Sequence, residues 1–214
     1  RDGGSVLVPA FALGRMQEIL YIIYKAKKSG RISSDTPIFA GGLGLDIAED
    51  FIKGAKRSNT FSFSKQHMEG VKPLRGEIVA GKDFDIKGIY VLGSGMMVKN
   101  TPSYLAAAAL MDNRANAIFL VGYADTDTPA YKLQHSAPGD SFAFRDLFYV
   151  GTVNCKVDKF DLTSHADREE ILSFILEKDP RNVVLTHGSL ESREWFMYEI
   201  LDRSPKTRVI IPEP

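Results

Sequence analysis

Val6-Leu7-Val8-Pro9-Ala10-Phe11-Ala12-Leu13-Gly14-Arg15-Met16-Gln17-Glu18-Ile19 sets the architecture of the chain. Val6 to Val8 is a short apolar run with the composition of a buried strand, and Pro9 stops it. From Arg15 the spacing changes: Ile19, Ile22, Ile23 and Ala26 fall at i, i+3, i+4 and i+7. That is one face of an amphipathic helix ending near Ser29-Gly30. A strand that yields to a helix across one short loop is the repeating unit of a parallel α/β sheet.

The same unit recurs down the chain. Ile38-Phe39-Ala40 reads as a second strand, followed by Gly41-Gly42-Leu43-Gly44 and a helix through Ile47, Phe51 and Ile52. Lys53, Lys56 and Arg57 close that helix, where cations favour the negative end of its dipole. Ile89 to Leu92 is a buried strand ending in Gly93-Ser94-Gly95, and Thr101-Pro102 opens an alanine-rich helix to about Met111. Ala117 to Val121 is another strand, running into Gly122-Tyr123-Ala124-Asp125. Loops at the carboxyl ends of parallel strands are where ligands usually bind, so the two glycine turns are expected to line one crevice. From Ser141 to Phe160 the pattern turns period-two (Phe142/Phe144, Phe148/Val150, Val157), which suggests a small antiparallel section. A helix through Ile171, Leu172, Phe174 and Ile175, the strand Val183-Val184-Leu185, a helix with Trp195, Phe196, Ile200 and Leu201, and the strand Val209-Ile210-Ile211 complete the chain. The expected fold class is α/β: a mainly parallel sheet with flanking helices, then a returning strand-helix-strand.

Composition narrows the function. The 214 residues are 44% hydrophobic, enough for a sizeable core, and no apolar run approaches the roughly 18 residues of a membrane span. A soluble protein without membrane contact is expected. Cys155, the single cysteine, can form neither an intrachain disulfide nor a thiolate metal knuckle, which fits a reducing, cytoplasmic setting. The start, Arg1-Asp2-Gly3-Gly4-Ser5, has no initiator methionine and no signal-peptide order, so the expectation is a chain that begins inside a longer one. Charge balances at 27 basic and 27 acidic residues, so nucleic-acid binding has to be argued from a local site rather than from bulk charge.

His165 and His187 are 22 residues apart, each just past an apolar strand and just before a helix, which brings both to one sheet edge. Imidazole suits zinc ligation and proton transfer near neutral pH, and equally a capping or core role; spacing leaves both open. His67 and His135 lie in polar stretches and read as solvent-exposed. No G-x-S-x-G elbow, Walker loop, G-x-G-x-x-G or H-E-x-x-H occurs.

Four stretches together resemble the β-CASP branch of the metallo-β-lactamase superfamily, nucleases that process RNA and, in some members, DNA. Val8 to Glu18 is similar to that branch's P-x-F-A-x-G-R-x-Q-E segment. Ser94-Gly95-Met96 after a buried strand is the second, and the strand ending in Gly122-Tyr123 the third. Thr163-Ser164-His165-Ala166-Asp167 and Leu185-Thr186-His187-Gly188 resemble the family's motifs B and C. The resemblance implies a β-CASP domain over residues 1–162 and a carboxy-terminal metallo-β-lactamase segment over 163–214. It implies a two-zinc ribonuclease in which His187 is a metal ligand and His165 the general acid at the scissile phosphate, with RNA favoured by histidine at motif C. Ser94, Gly95 and Met96 would hold a phosphate through the hydroxyl and main-chain N–H groups. Arg15 is either a second phosphate clamp, with Gln17 as neutral partner, or half of a salt bridge at a helix start.

The chain also departs from the family. No H-x-H-x-D-H is present to supply the remaining zinc ligands, so the metal site is incomplete here and the fragment alone is expected to be inactive. The segment Gly122 to Pro129 lacks the family's second glycine and its G-T-x-G-R. Asp167 reads as a helix N-cap rather than as the acid that orients His165. Expected partners are RNA, the absent amino-terminal half and a second copy of the chain. The alternative is a non-catalytic β-CASP subunit that binds RNA or serves as a scaffold.

Overall fold

In a computed structural model the described residues are 3–58, 62–162 and 166–212, and the chain divides into two units, Arg1–Leu162 and Thr163–Pro214. The first unit begins with β1 (Val6–Pro9), α1 (Arg15–Lys28), β2 (Ile38–Gly41), α2 (Leu43–Ser58) and β3 (Val71–Pro73). It continues with β4 (Ile89–Leu92), α3 (Pro102–Leu110), β5 (Ala117–Leu120), α4 (Pro129–Gln134), the strands β6 (Ser141–Phe144) and β7 (Tyr149–Thr152), and β8 (Lys156–Lys159). Six strands form one sheet in the order β3-β2-β4-β1-β5-β8, every neighbouring pair parallel.

This order decides where the helices go. From β1 the chain moves to β2 and then β3 on one side; from β4 it crosses to β5 on the other. Right-handed crossovers in opposite directions put their helices on opposite faces. The strand alternation follows. Leu7, Tyr90, Leu92, Ile118 and Leu120 point to the face covered by α3, where Ala106, Ala107 and Leu110 pack on them. Val8, Ile38, Ala40, Ile89 and Val91 point to the other face and meet Met16, Ile19, Leu20 and Ile23 of α1. Strands buried on both sides read as continuous apolar runs, which is how they stand in the sequence. Each fully buried Leu or Ile in these layers contributes about 1.5–3 kcal/mol relative to exposure.

Three sequence expectations change. Among the described residues only β6 and β7 form an antiparallel pair; β8, read from the sequence as part of that section, joins the main sheet parallel to β5. Phe142 and Phe144 point inward as their alternation implies, but Phe148 and Val150 stand in solvent, Phe148 at 99% exposure with a left-handed backbone (φ 48°). The short edge strand β3 and the helix α4 were not anticipated.

The second unit holds α5 (Arg168–Lys178), β9 (Asn182–Val184), α6 (Leu190–Arg203) and β10 (Arg208–Ile210). β9 and β10 pair in parallel, with α6 as their crossover. Asp167 caps α5: its carboxylate accepts the Glu170 N–H at 2.9 Å, and the Glu170 carboxylate accepts the Asp167 N–H at 2.9 Å. This is the N-cap role expected for Asp167. Leu172, Ile200 and Thr207 are buried, whereas Phe174, Val184, Leu190 and Tyr198 are exposed. Among the described residues no helix is long and apolar enough to cross a membrane.

Candidate functional site

Parallel strands deliver their following loops to one edge of the sheet. Here the loops after β1, β4 and β5 and the start of α2 after β2 share the carboxyl edge, and each exposes one large apolar side chain: Leu13, Val98, Tyr123 and Leu43. Phe11, in the loop after β1, packs against the loops after β4 and β5. A methyl added at Gly95 would sit 2.9 Å from the Phe11 ring and 3.0 Å from its main-chain nitrogen; one at Gly122 would sit 3.2 Å from the ring. The two glycine turns therefore accommodate Phe11 between them. The sequence carried the signal in the aromatic residue of the Pro9-Ala10-Phe11-Ala12 segment, but periodicity gave it no role.

Gln17 fixes the loop that carries Phe11. Its side chain is wholly buried, with Oε1 accepting the Gly14 N–H at 2.8 Å. Nε2 donates to Ala12 O at 3.1 Å and to Gly44 O at 3.0 Å. Both amide protons are thus spent on the main chain. Gln17 ties the start of α1 to the start of α2 and presents no donor to a ligand. Arg15, also buried, pairs with Glu18 across one turn, the salt bridge that stood as the alternative to a phosphate clamp.

The loop after β4 is held differently. Ser94 O accepts the Met97 N–H at 3.1 Å and the Ser103 hydroxyl at 2.7 Å; Ser94 Oγ accepts the Val98 N–H at 2.9 Å. The Ser103 N–H donates back to Gly93 O at 2.9 Å. The loop is thereby closed onto the first turn of α3. The main-chain N–H groups of Ser94, Gly95 and Met96 have no acceptor among the described residues. Consecutive unpaired N–H groups in a turn form a concavity suited to an anion. The Ser94 hydroxyl keeps its own proton to donate.

In the second unit His187 is exposed, in the loop between β9 and α6, with a left-handed backbone (φ 67°). His165 lies outside the described residues, as do Thr163 and Ser164. Among the described residues no group of three or more His, Cys, Asp or Glu side chains is placed to hold a metal ion. His187 thus belongs to no such group among the described residues. His67, expected in solvent, is buried at 4% exposure: Tyr21 and Tyr24 stand edge-on to its ring at 4.9 Å each, and its Nδ1 accepts the Ser64 N–H at 2.9 Å. Burial, and then the charge of Lys25, hold its pKa below the usual histidine value. The polar letters around position 67 gave no sign of the aromatic side chains that α1 contributes.

Residues 150–212 match the family model described as the RNA specificity domain of Zn-dependent metallo-hydrolases. The chain is 29% identical over 213 residues to the RNase aCSPSF2 of Saccharolobus solfataricus, a match over 99% of this chain and 40% of the relative. It is 28% identical over 220 residues to an Integrator complex subunit 11 homolog of Dictyostelium discoideum, over 93% of this chain and 28% of that protein. Against the cleavage and polyadenylation specificity factor subunit 3-II of Arabidopsis thaliana it is 30% identical over 200 residues, over 89% of this chain and 31% of that one. The chain thus spans less than half the length of each of these relatives. An RNA specificity domain over its last third, and relatives aligned along nearly all of it, agree with the four sequence motifs: the chain is similar to the β-CASP branch of the metallo-β-lactamase superfamily.

Proposed function

We propose that the chain is part of a zinc-dependent ribonuclease that hydrolyses RNA phosphodiester bonds. The observation that carries this reading is the run of three main-chain N–H groups, Ser94 to Met96, at the carboxyl edge of the sheet and without acceptors among the described residues. Main-chain donors bind a phosphate without reading a base, which suits an enzyme acting on the backbone. The positive end of the α1 dipole lies at the same edge and adds to the attraction. The Ser94 hydroxyl supplies a fourth donor. Gln17 and Phe11 act on this site only by holding the loops around it.

In the second unit His187, with an exposed imidazole, is the residue fitted to bind metal, and His165 is assigned the transfer of a proton to the leaving oxygen. Bound zinc supplies an activated water and stabilises charge on the phosphate. The other ligands come from residues outside these 214.

The test uses the longer protein that contains this chain, with a 5′-labelled RNA and a measurement of bound zinc. Metal-dependent cleavage is expected, lost in both His165→Ala and His187→Ala. Full activity in the double variant refutes the reading. RNA binding with no cleavage under any metal condition favours the scaffold alternative.

A further inference from the structure

α1 and α2 both follow strands of the parallel sheet and lie on the same face, so they run side by side and end together at the amino edge, opposite the Ser94 loop. Their last turns carry Lys25, Lys27 and Lys28 on α1 and Lys56 and Arg57 on α2. The turn of 3-10 helix Lys65–Met68 packs on α1 and adds Lys65. Lys27 is committed, donating to Ser34 O at 2.9 Å and Thr36 O at 2.5 Å. Lys25, Lys28, Lys56, Arg57 and Lys65 are exposed, and none has a carboxylate at ion-pairing distance among the described residues. Aromatic rings lie among them: the Lys25 ammonium is 5.6 Å from the Tyr21 ring centre and that of Lys28 5.6 Å from Tyr24, both rings resting on His67.

A cation in the last turn of a helix is favoured by the helix dipole, which accounts for one or two of these residues on each helix. It does not account for Lys65, nor for five cations without a carboxylate partner among the described residues, brought to one surface by three elements. In a chain whose charges balance, such segregation has a cost in mutual repulsion and calls for a polyanion. The aromatic interleaving suits single-stranded nucleic acid.

We infer that the amino-edge surface of Lys25, Lys28, Lys56, Arg57 and Lys65 binds phosphates of a single-stranded RNA remote from the site of cleavage. This rests on the ribonuclease reading and adds a second anchoring point to it. The 14 residues of α1 separate the two points by about 21 Å, so a trinucleotide held at the Ser94 loop does not reach the surface, whereas a long strand does.

The experiment compares the longer protein with its K25Q/K28Q/K65Q variant. It measures the affinity for a labelled single strand of about 20 nucleotides against salt, and the cleavage rate of a trinucleotide. Each lost phosphate contact lowers the logarithmic salt slope by about 0.7, so three lower it by about 2 and weaken long-strand binding by roughly 100-fold at about 0.1 M salt. Trinucleotide cleavage is expected to stay unchanged, and K25R/K28R/K65R to restore the slope. An unaltered slope in the glutamine variant overturns the inference. So does an equal loss in K72Q/R75Q/K82Q, which removes the same charge from the sheet edge at β3 and the loop after it. If the unmodified protein neither binds nor cleaves RNA, the ribonuclease reading falls as well; if it cleaves the trinucleotide and the variant binds long RNA normally, only this inference falls.

Discussion

Gln17→Leu separates an architectural role from a ligand contact. Leucine fills a similar volume but leaves three main-chain groups without their partner. Gly44 O loses a fully buried bond, a loss of about 1–3 kcal/mol. The bonds to Gly14 N–H and Ala12 O are only part-buried, and water recovers some of each, so they contribute about 0.5–1.5 kcal/mol apiece. A total near 3 kcal/mol is expected. At about 2–4 °C per kcal/mol for a protein of this size, the melting temperature falls by about 6–12 °C. Gln17→Glu is informative beside it, since the carboxylate keeps the acceptor for Gly14 and loses both donors. Thermal unfolding followed by circular dichroism, with RNA affinity measured below the transition, makes the distinction. An unchanged melting temperature with a large loss of RNA affinity would refute the argument and return Gln17 to the set of direct phosphate contacts.

Two further perturbations test the packing around the site. Gly95→Ala sets a methyl 3.0 Å from the Phe11 main-chain nitrogen, which cannot swing aside as the ring can, so overpacking of about 1–3 kcal/mol is expected. Phe11→Ala in the same chain should recover only the part due to the ring, and a strictly additive double variant in a calorimetric cycle means that the two residues do not meet. His67 supplies a pH dependence. Its pKa is lowered on folding, so the unfolded chain takes the proton first, and the stability associated with the neutral ring is intact above about pH 6.5 and lost as pH falls below it. Melting between about pH 7.5 and 5.5 should drop more steeply for the parent than for His67→Phe; parallel curves contradict the burial argument.

Much of the first unit was legible because strands buried on both faces write themselves as unbroken apolar runs. Val6–Val8, Ile38–Ala40, Ile89–Leu92 and Ala117–Val121 all appear that way. β8 was misplaced because Lys156-Val157-Asp158-Lys159 alternates as an edge strand does, and an edge strand on a parallel sheet has the same letters as one in a hairpin. β3, with the sequence Val71-Lys72-Pro73, is too short for any period to show. At the candidate site, glycine near Ser94 was readable as a place of close approach, but what approaches it is the Phe11 ring, eighty residues earlier in the chain. Gln17 and Arg15 stood out by position. That both are buried, one bound to main-chain atoms and the other paired with Glu18, depends on how α2 and the loop after β1 close over them.

The strand order has a consequence for synthesis. β1 is central, yet its neighbours are β4 and β5, and the Val6↔Ile89 pairing joins residues more than eighty apart. Neither edge of β1 can be satisfied while α1, β2 and α2 are being made. At about 5–20 residues per second, this central strand waits on the order of 4–16 s for its first partner as it leaves the ribosome. Its two bare edges over that interval make β1 the segment with the greatest exposure to chaperones and to mispairing, and slower translation upstream of Ile89 should lengthen that exposure in proportion.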